Sequence, residues 1–289
     1  MFASPRVKVG RFRRHPSEPD FESAGAIDAP TLVFPRLAVR IAQSGRPTVV
    51  ADPSVVMLYS AGQEYVRAAV SPEGDRCDWF AFTCDDVAAA MRPAGAPAGR
   101  APRFARPSVP AAASLVFEAR SLFLAAATPG ADPLALEEGA LAMLGAALAP
   151  LRGGAEATRG RPASWNDLAA AAQELLSRRF RGRVSLSALA AAVGCSPFHL
   201  CRAFRAATGW TVHGHLTALR LRAALDELPD RPGDAAALAL ELGFSHHAHL
   251  AAAFRRAFGV TPSEWSRRVR RSAVDAPAPA PGPRGSAVG

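Results

Sequence analysis

Several residue types are scarce in this chain of 289 residues, which has four cysteines and a single lysine, Lys8. The cysteines lack the Cys-x-x-Cys spacing of a zinc site, so we expect ordinary thiols in a reducing compartment. There is no secretory signal, and no uncharged apolar run reaches the length of about 18 residues that marks a membrane span. These absences favour a cytoplasmic protein without a membrane partner. The cysteines are Cys77, Cys84, Cys195 and Cys201.

Carboxylates are missing from one long stretch of a chain whose net charge is +9. No Asp or Glu lies between Glu174 and Asp226. A surface without carboxylates suits contact with phosphates, because a carboxylate would repel them. We therefore expect this half of the chain to face an anionic partner.

Histidine is absent from most of the first half, where only His15 occurs. In the second half His246, His247 and His249 lack the i, i+4 spacing that would place two imidazoles on one helical face. We predict neither a metal site nor a cofactor.

The first half of the chain predicts an antiparallel sandwich or barrel. Segments rich in Val, Leu, Ile and aromatic residues alternate with Pro- and Gly-containing turns. The predicted strands cover residues 31–41, 48–59, 65–70 and 77–83. Two Ala/Leu-rich helices follow, over residues 111–127 and 134–151. Their apolar faces fit either packing on the sheets or a dimer interface, and the sequence does not separate these two roles.

The composition therefore indicates an α+β protein of two domains. The expected parts are a loose basic arm (1–20), a β-rich sensor or dimerisation domain (21–152, its helices over about 111–151), a linker (153–163), an all-helical domain (164–272) and a disordered Pro/Ala-rich tail (273–289). Ser164 and Asp167 fit a capping pair at the start of the helical domain.

The strongest pattern occurs twice in that helical domain. The first copy contains Leu189, Gly194, Leu200, Phe204 and Gly209, and the second contains Leu238, Gly243, Leu250, Phe254 and Gly259. Each copy predicts a short helix, a glycine turn and a second helix, which is a helix-turn-helix. A long helix from Val212 to Leu228 joins them. Ser196 and Pro197 begin the second helix of the first copy, and Ser245 or His246 begins that of the second.

The second helix of each copy is expected to present its outer face to duplex DNA. In the first copy, Arg202 suits a guanine edge and Phe198 a thymine methyl group, while Arg205 suits a phosphate. In the second copy, Arg255 and Arg256 are the phosphate candidates, and His247 and His249 offer some base readout.

The stretch Gly243–Trp265, GFSHHAHLAAAFRRAFGVTPSEW, closely resembles the C-terminal signature of the AraC/XylS family of bacterial transcription regulators. The likeness extends over residues 164–271. It implies two helix-turn-helix subdomains in successive major-groove segments of DNA, with RNA polymerase and a second copy of the chain left open as further partners. The resemblance places base contacts at Phe198, Cys201 and Arg202 in the first copy, and at His247, Ala248, Ala251 and Ala252 in the second.

The two copies are not expected to be equal readers. Ala252 stands where an arginine can sit in family members, and alanine offers only apolar contact. We therefore expect the first helix to discriminate between sequences and the second mainly to anchor the protein.

The stretch Val50–Phe82 resembles, more weakly, the cupin-like sensory domain of such regulators. A metal-dependent cupin enzyme is disfavoured because the strand region contains no histidine. A pocket for a small organic effector stays open, with core packing as the alternative role of its lining. The candidate lining residues are Tyr59, Tyr65, Trp79 and Phe82.

Two other functions are open at this point. One is a non-specific architectural DNA-binding protein. The other is a Cys-dependent DNA-repair enzyme, although neither Cys77 nor Cys84 has a histidine nearby in sequence to activate it.

Overall fold

The computed structural model describes residues 2–92, 103–152 and 162–274. Strands fill the first part and helices the second, so the predicted α+β fold of two domains is confirmed. The strands are β1 (Phe2–Ala3), β2 (Val7–Arg14), β3 (Ser23–Ala24), β4 (Thr31–Pro35), β5 (Val39–Gln43), β6 (Val49–Ala51), β7 (Val55–Tyr59), β8 (Tyr65–Ala69), β9 (Asp75–Phe82) and β10 (Ser108–Pro110). The helices are α1 (Cys84–Met91), α2 (Ala113–Ala126), α3 (Pro133–Arg152), α4 (Ala163–Arg179), α5 (Leu186–Ala192), α6 (Pro197–Thr208), α7 (Val212–Glu227), α8 (Ala235–Glu241), α9 (His247–Phe258) and α10 (Pro262–Val274).

The strands form two antiparallel sheets, ordered β1-β2-β9-β4-β7-β10 and β3-β8-β5-β6. Each of the two long strands predicted at 31–41 and 48–59 is divided between the sheets. At Asp52, the side chain accepts a hydrogen bond from the amide of Ser54 at 2.7 Å, which bends the chain before Pro53. Strands that switch sheets at such bends close the two layers around a shared interior.

The expectation of a loose arm over residues 1–20 requires correction. Strand β2 pairs with β9 along eight positions, from Val7 opposite Phe82 to Arg14 opposite Asp75. The side chains of Val7 and Val9 are buried in the core. Their period-two spacing is a strand signal that the surrounding basic residues obscure.

Helices α2 and α3 pack on the six-stranded sheet, which settles where their apolar faces lie. Leu115 of α2 and Leu144 of α3 join Phe80 and Phe82 in one buried cluster, whereas Leu134 stays exposed. Among the described helices, α3 has the length and composition that could cross a membrane. Six of its side chains are nevertheless buried, at the helical spacing of a core element.

Two helix-turn-helix units form the helical half, each with its own core. Helix α7 serves both, since Leu216 and Leu219 lie in the first core and Leu221 and Leu225 in the second. The turns depend on glycine, because Gly194 and Gly243 have φ angles of 71° and 79°. Side chains with a Cβ rarely adopt this left-handed backbone.

The ends of the helical half differ from the sequence prediction in part. Helix α4 begins at Ala163, after Pro162, without a side-chain cap, so the predicted capping role of Ser164 is wrong. Helix α10 continues to Val274, two residues into the predicted tail. The rest of that tail, and residues 153–161 of the predicted linker, lie outside the described residues.

Buried polar and charged side chains join the β-rich half to α7. Asp52 Oδ2 lies 3.0 Å from His215 Nε2, and both side chains are fully buried. Burial alone would raise the pKa of Asp52, but His215 and the hydrogen bonds to Ser54 lower it. Nearby, Arg222 donates to the carbonyl of Ala111 at 2.5 Å, and burial lowers its pKa to about 10.

A second group of charges lies alongside, in the segment after β4 and on β9, α2 and α7. Arg36 contacts Asp226 at 2.6 Å, and Arg120 contacts Asp226 at 3.3 Å and Asp78 at 3.2 Å. We call these residues, together with Asp52, His215 and Arg222, the seam cluster.

An apolar contact of α2 completes this junction. The ring of Phe117 stacks on Phe258 with centroids 5.8 Å apart and tilts against Trp265 at 5.0 Å. Trp265 in turn donates from its indole nitrogen to the carbonyl of Leu225 at 2.8 Å. Helix α2 therefore belongs to the core of the second helix-turn-helix unit as well as to that of the sheet.

The two turn glycines provide a matched test of steric freedom. A Cβ at Gly243 would lie 2.5 Å from Arg220 Nη2 and 2.9 Å from the carbonyl oxygen of Arg181, whereas a Cβ at Gly194 meets open space. Gly194→Ala should cost about 1–2 kcal/mol from the left-handed backbone alone. Gly243→Ala should cost about 1–3 kcal/mol more from overpacking. Urea denaturation measures both, and equal losses would contradict the crowding at Gly243.

The contacts of the seam cluster predict that the free energy of unfolding depends strongly on Asp52. Asp52→Asn leaves the buried Arg222 without its nearby negative charge and removes the carboxylate beside His215 Nε2, so it should destabilise the fold by about 3–5 kcal/mol. Because the folded-state pKa of Asp52 is lowered, its contribution is present above the ordinary carboxyl pKa and is lost as the pH falls through the folded value. Unfolding curves across acidic pH should therefore converge for mutant and wild type. The exposed Asp85→Asn is the control, and a similar loss there would refute the assignment.

Candidate nucleic-acid interface

Helix α6 carries the first set of predicted base contacts on an exposed face. Ser196 caps it by accepting the amide hydrogen of His199 at 3.2 Å, and Pro197 occupies its first turn, as predicted. Leu200 and Phe204 are buried beneath. The outer face presents Phe198, Cys201, Arg202 and Arg205, all exposed.

Two aromatic rings flank the guanidinium of Arg202. Its Cζ lies 5.7 Å from the ring centroid of Phe198 and 5.7 Å from that of Trp165 on α4. Phe198 is 72% exposed, which is unusual for an apolar side chain and fits contact with another molecule. The sequence alone did not identify Trp165 as a site residue, since its position in the first turn of α4 matched no motif.

Helix α9 carries the second set of predicted base contacts. Its cap is His246, whose Nδ1 accepts the amide hydrogen of His249 at 3.2 Å, so the second of the two predicted starting residues is the correct one. Leu250 and Phe254 are buried. His247, Ala248, Ala252, Arg255 and Arg256 are exposed on the outer face, with Ala251 half-buried.

The last helix, α10, begins with a capping box. Glu264 accepts the amide hydrogen of Thr261 at 2.7 Å, and Thr261 accepts that of Glu264 at 3.2 Å. These hydrogen bonds lower the pKa of Glu264, so the carboxylate stays charged at the start of α10. The capping box predicted at Thr261–Glu264 is confirmed.

Comparison with known proteins identifies this half of the chain. Residues 189–268 match a family described as "Helix-turn-helix domain", and the match spans both units. The region is an AraC-type helix-turn-helix domain. The chain is accordingly a DNA-binding transcription regulator.

Solved structures with some likeness to the chain include other proteins of this type. An AraC-type regulator from Chromobacterium violaceum is 25% identical, with a TM-score of 0.35 over 37% of this chain and 96% of its own. A probable AraC family regulator from Rhodopseudomonas palustris is 27% identical, with a TM-score of 0.34 over 36% and 97%. ToxT from Vibrio cholerae is 9% identical, with a TM-score of 0.36 over 92% and 99%. TM-scores this low do not by themselves establish a shared fold. No curated protein matches the chain significantly.

A cavity of about 570 Å³ lies between the two sheets of the β-rich half, apart from the AraC-type domain. Tyr59, Tyr65 and Trp79 line it, and the two tyrosine rings are 4.8 Å apart. Phe82, also expected there, lies instead in the core on the other side of the six-stranded sheet. The reason is the strand register, since Phe82 and Trp79 of β9 point to opposite faces.

The cavity contains one buried ion pair. Arg67 Nη1 donates to Asp75 Oδ2 at 3.1 Å, and the guanidinium lies 4.4 Å from the ring centroid of Phe12. Burial raises the pKa of Asp75 despite this partner. Cys77 also lines the cavity, and burial raises the pKa of its thiol well above the usual value. Within residues 2–92, 103–152 and 162–274, no group of three His, Cys, Asp or Glu side chains is placed to hold a metal ion.

Proposed function

We propose that α6 and α9 divide the work of binding DNA, with α6 discriminating between sequences and α9 anchoring the protein. The observation that carries this proposal is the difference between their exposed faces. Helix α6 presents Phe198, Cys201 and Arg202, whereas the corresponding face of α9 is largely alanine. Both helices end in exposed arginines suited to phosphates.

Arg202 is the residue best suited to read a base. A guanidinium can donate two parallel hydrogen bonds to the O6 and N7 atoms of guanine in the major groove. The flanking rings of Trp165 and Phe198 support an orientation of Arg202 before DNA arrives. Less conformational entropy is then lost on binding, which favours discrimination.

Arg205, Arg255 and Arg256 are assigned to phosphates. They occupy the last turns of α6 and α9, whereas base edges are reached by the N-terminal part of a recognition helix. Phosphate contacts fix position and supply salt-dependent affinity without reading sequence. Because the target is genomic DNA, we place the protein in the cytoplasm of a bacterium.

The cavity between the sheets is proposed to bind a small organic effector. Its volume of about 570 Å³ falls in the range of about 300–1,000 Å³ usual for small-molecule sites. Its aromatic side chains and the buried pair Arg67 and Asp75 suit a compact, mostly apolar molecule with a polar group. Further charges are added to the lining by Lys8, Arg14, Asp20 and Asp28. RNA polymerase and a second copy of the chain remain candidate partners of the regulator.

The alternatives make different demands. A repair alkyltransferase needs an activated thiolate, but burial raises the pKa of Cys77, which keeps that thiol protonated. A non-specific architectural protein would show no preference for a promoter fragment over bulk DNA in a competition experiment. We favour a sequence-specific regulator because α6 exposes side chains suited to reading bases. A non-specific architectural protein does not need such side chains.

The division of labour is tested with an operator found by genome-wide mapping of bound sites. Arg202→Ala should cost about 1–3 kcal/mol on the operator and relax the preference at one base pair. Arg255→Ala should weaken binding to operator and scrambled DNA alike, since a phosphate contact carries no sequence information. Fluorescence anisotropy at fixed salt measures both.

The matched control is Arg13→Ala, an exposed arginine on β2 that should leave both affinities unchanged. Unaltered operator binding by Arg202→Ala would remove the reading role of α6. A loss confined to the operator in Arg255→Ala would remove the phosphate role of α9.

The effector proposal is tested by filling the cavity. Ala51 is buried in its wall, so Ala51→Phe should reduce the space for a ligand. A panel of small aromatic and amphipathic compounds is screened by thermal shift. We expect a compound that raises the melting temperature of the wild type but not of Ala51→Phe, while both proteins bind operator DNA without ligand. No stabilising compound, or equal stabilisation of both proteins, would contradict the proposal.

A further inference from the structure

A second cavity, of about 250 Å³, lies at the junction between the β-rich half and helices α4 and α7. It shares no lining residue with the cavity between the sheets. One wall comes from the segment around Arg36 and from the start of β9 at Arg76. The other comes from the C-terminal end of α4 and from α7. A ligand bound here would contact both halves of the protein.

The cavity is rich in guanidinium groups. Arg36, Arg76, Arg178 and Arg181 line it. Two of them are neutralised, because Arg36 contacts Asp226 at 2.6 Å and Arg181 contacts Glu227 at 2.5 Å. In the part of the chain that the structure describes, Arg76 and Arg178 have no carboxylate within ion-pair distance. The remaining acid of the lining, Glu73, is exposed.

Two buried polar atoms at this cavity lack a hydrogen-bond partner among the described residues. They are Arg76 Nε and the hydroxyl oxygen of Ser177 on α4. Buried donors without partners are rare in folded proteins, and each one asks for an explanation such as a bound ion or water. Arg178 is fixed beside them, since its Nε donates to the carbonyl of Val70 at 2.9 Å.

The electrostatic environment of Arg76 also favours a bound anion at this cavity. Burial, together with repulsion from Arg36, lowers the pKa of Arg76, although Asp226 and Glu73 act in the opposite direction. A negatively charged ligand would offset both effects by neutralising the guanidinium in place.

We propose that this cavity binds a phosphate group, either free or as the ester of a small metabolite. Two unpaired guanidiniums match the charge of a phosphate dianion, and a guanidinium donates readily to two phosphate oxygens at once. The Ser177 hydroxyl supplies a further donor from the facing helix. Because Arg76 belongs to the sheet and Ser177 to α4, the ligand would link the β-rich half to the DNA-binding half. This site is additional to the effector cavity and does not depend on the proposed division of labour between α6 and α9.

The proposal is tested by thermal unfolding of the full chain at constant ionic strength. Inorganic phosphate, glycerol 3-phosphate and acetate are each titrated against chloride. We expect phosphate or the phosphate ester to raise the melting temperature of the wild type by several degrees, with acetate weaker. A larger effect of the ester than of inorganic phosphate identifies a metabolite as the source, and the reverse identifies the free ion.

Arg76→Gln is expected to weaken the apparent phosphate affinity by about tenfold or more, because it removes a charged donor. Ser177→Ala should weaken it by a smaller factor, and it decides the question if Arg76→Gln does not fold. The exposed Arg183→Gln is the matched control and should behave as the wild type. Arg202→Gln tests whether phosphate acts on the DNA-binding face instead.

Three results would overturn the proposal. The first is the absence of any phosphate-dependent rise in the melting temperature of the wild type. The second is a rise in both Arg76→Gln and Ser177→Ala that equals the rise in the wild type. The third is a rise that is lost in Arg202→Gln but kept in Arg76→Gln. None of these readouts involves DNA, so the outcome is independent of the base-reading role given to α6.

Discussion

The contact between Asp52 and His215 fixes the relation between the two halves of this protein. Both side chains are fully buried, as is the guanidinium of Arg222 beside them. Charges withdrawn from water are costly unless they are held near opposite charges, so each member of the seam cluster stabilises the fold only while the others stay in place. Helix α7 carries His215, Arg222 and Asp226, and it also supplies side chains to both helix-turn-helix cores. Helix α7 is therefore a central element of the junction, and contacts of α2 and α4 add to it.

Strand β9 connects that junction with the interior of the β-rich half. Its alternate residues Asp75, Cys77 and Trp79 line the cavity between the sheets, while Arg76 and Asp78 face the helices. Successive side chains of a strand point to opposite faces, so β9 contributes to the cavity on one side and to the junction on the other. A ligand in the cavity and the charges at the junction thus act on the same strand.

The two recognition helices share a scaffold but not a surface. Both have a left-handed glycine at the C-terminus, a buried Leu and Phe pair, and a side chain that caps the first turn. These features determine the backbone shape of the unit, and both copies share them. The outer faces are free of that constraint because they are exposed rather than packed in the core. Trp165 adds to the difference, since it flanks Arg202 from outside the first unit.

The sequence by itself determined most of the helical half. The glycines at 194 and 243, the Ser196 cap and the Thr261–Glu264 capping box are local signals, because a backbone angle or a cap depends on residues only a few positions apart. The strand role of Val7 and Val9, the inward face of Tyr59 and Tyr65, and the place of Phe82 depended on strand register. The pairing of Asp52 with His215 and the convergence of Arg76 with Ser177 join residues about a hundred or more positions apart. Such contacts leave no local pattern, since only the packing of the two halves brings those groups together.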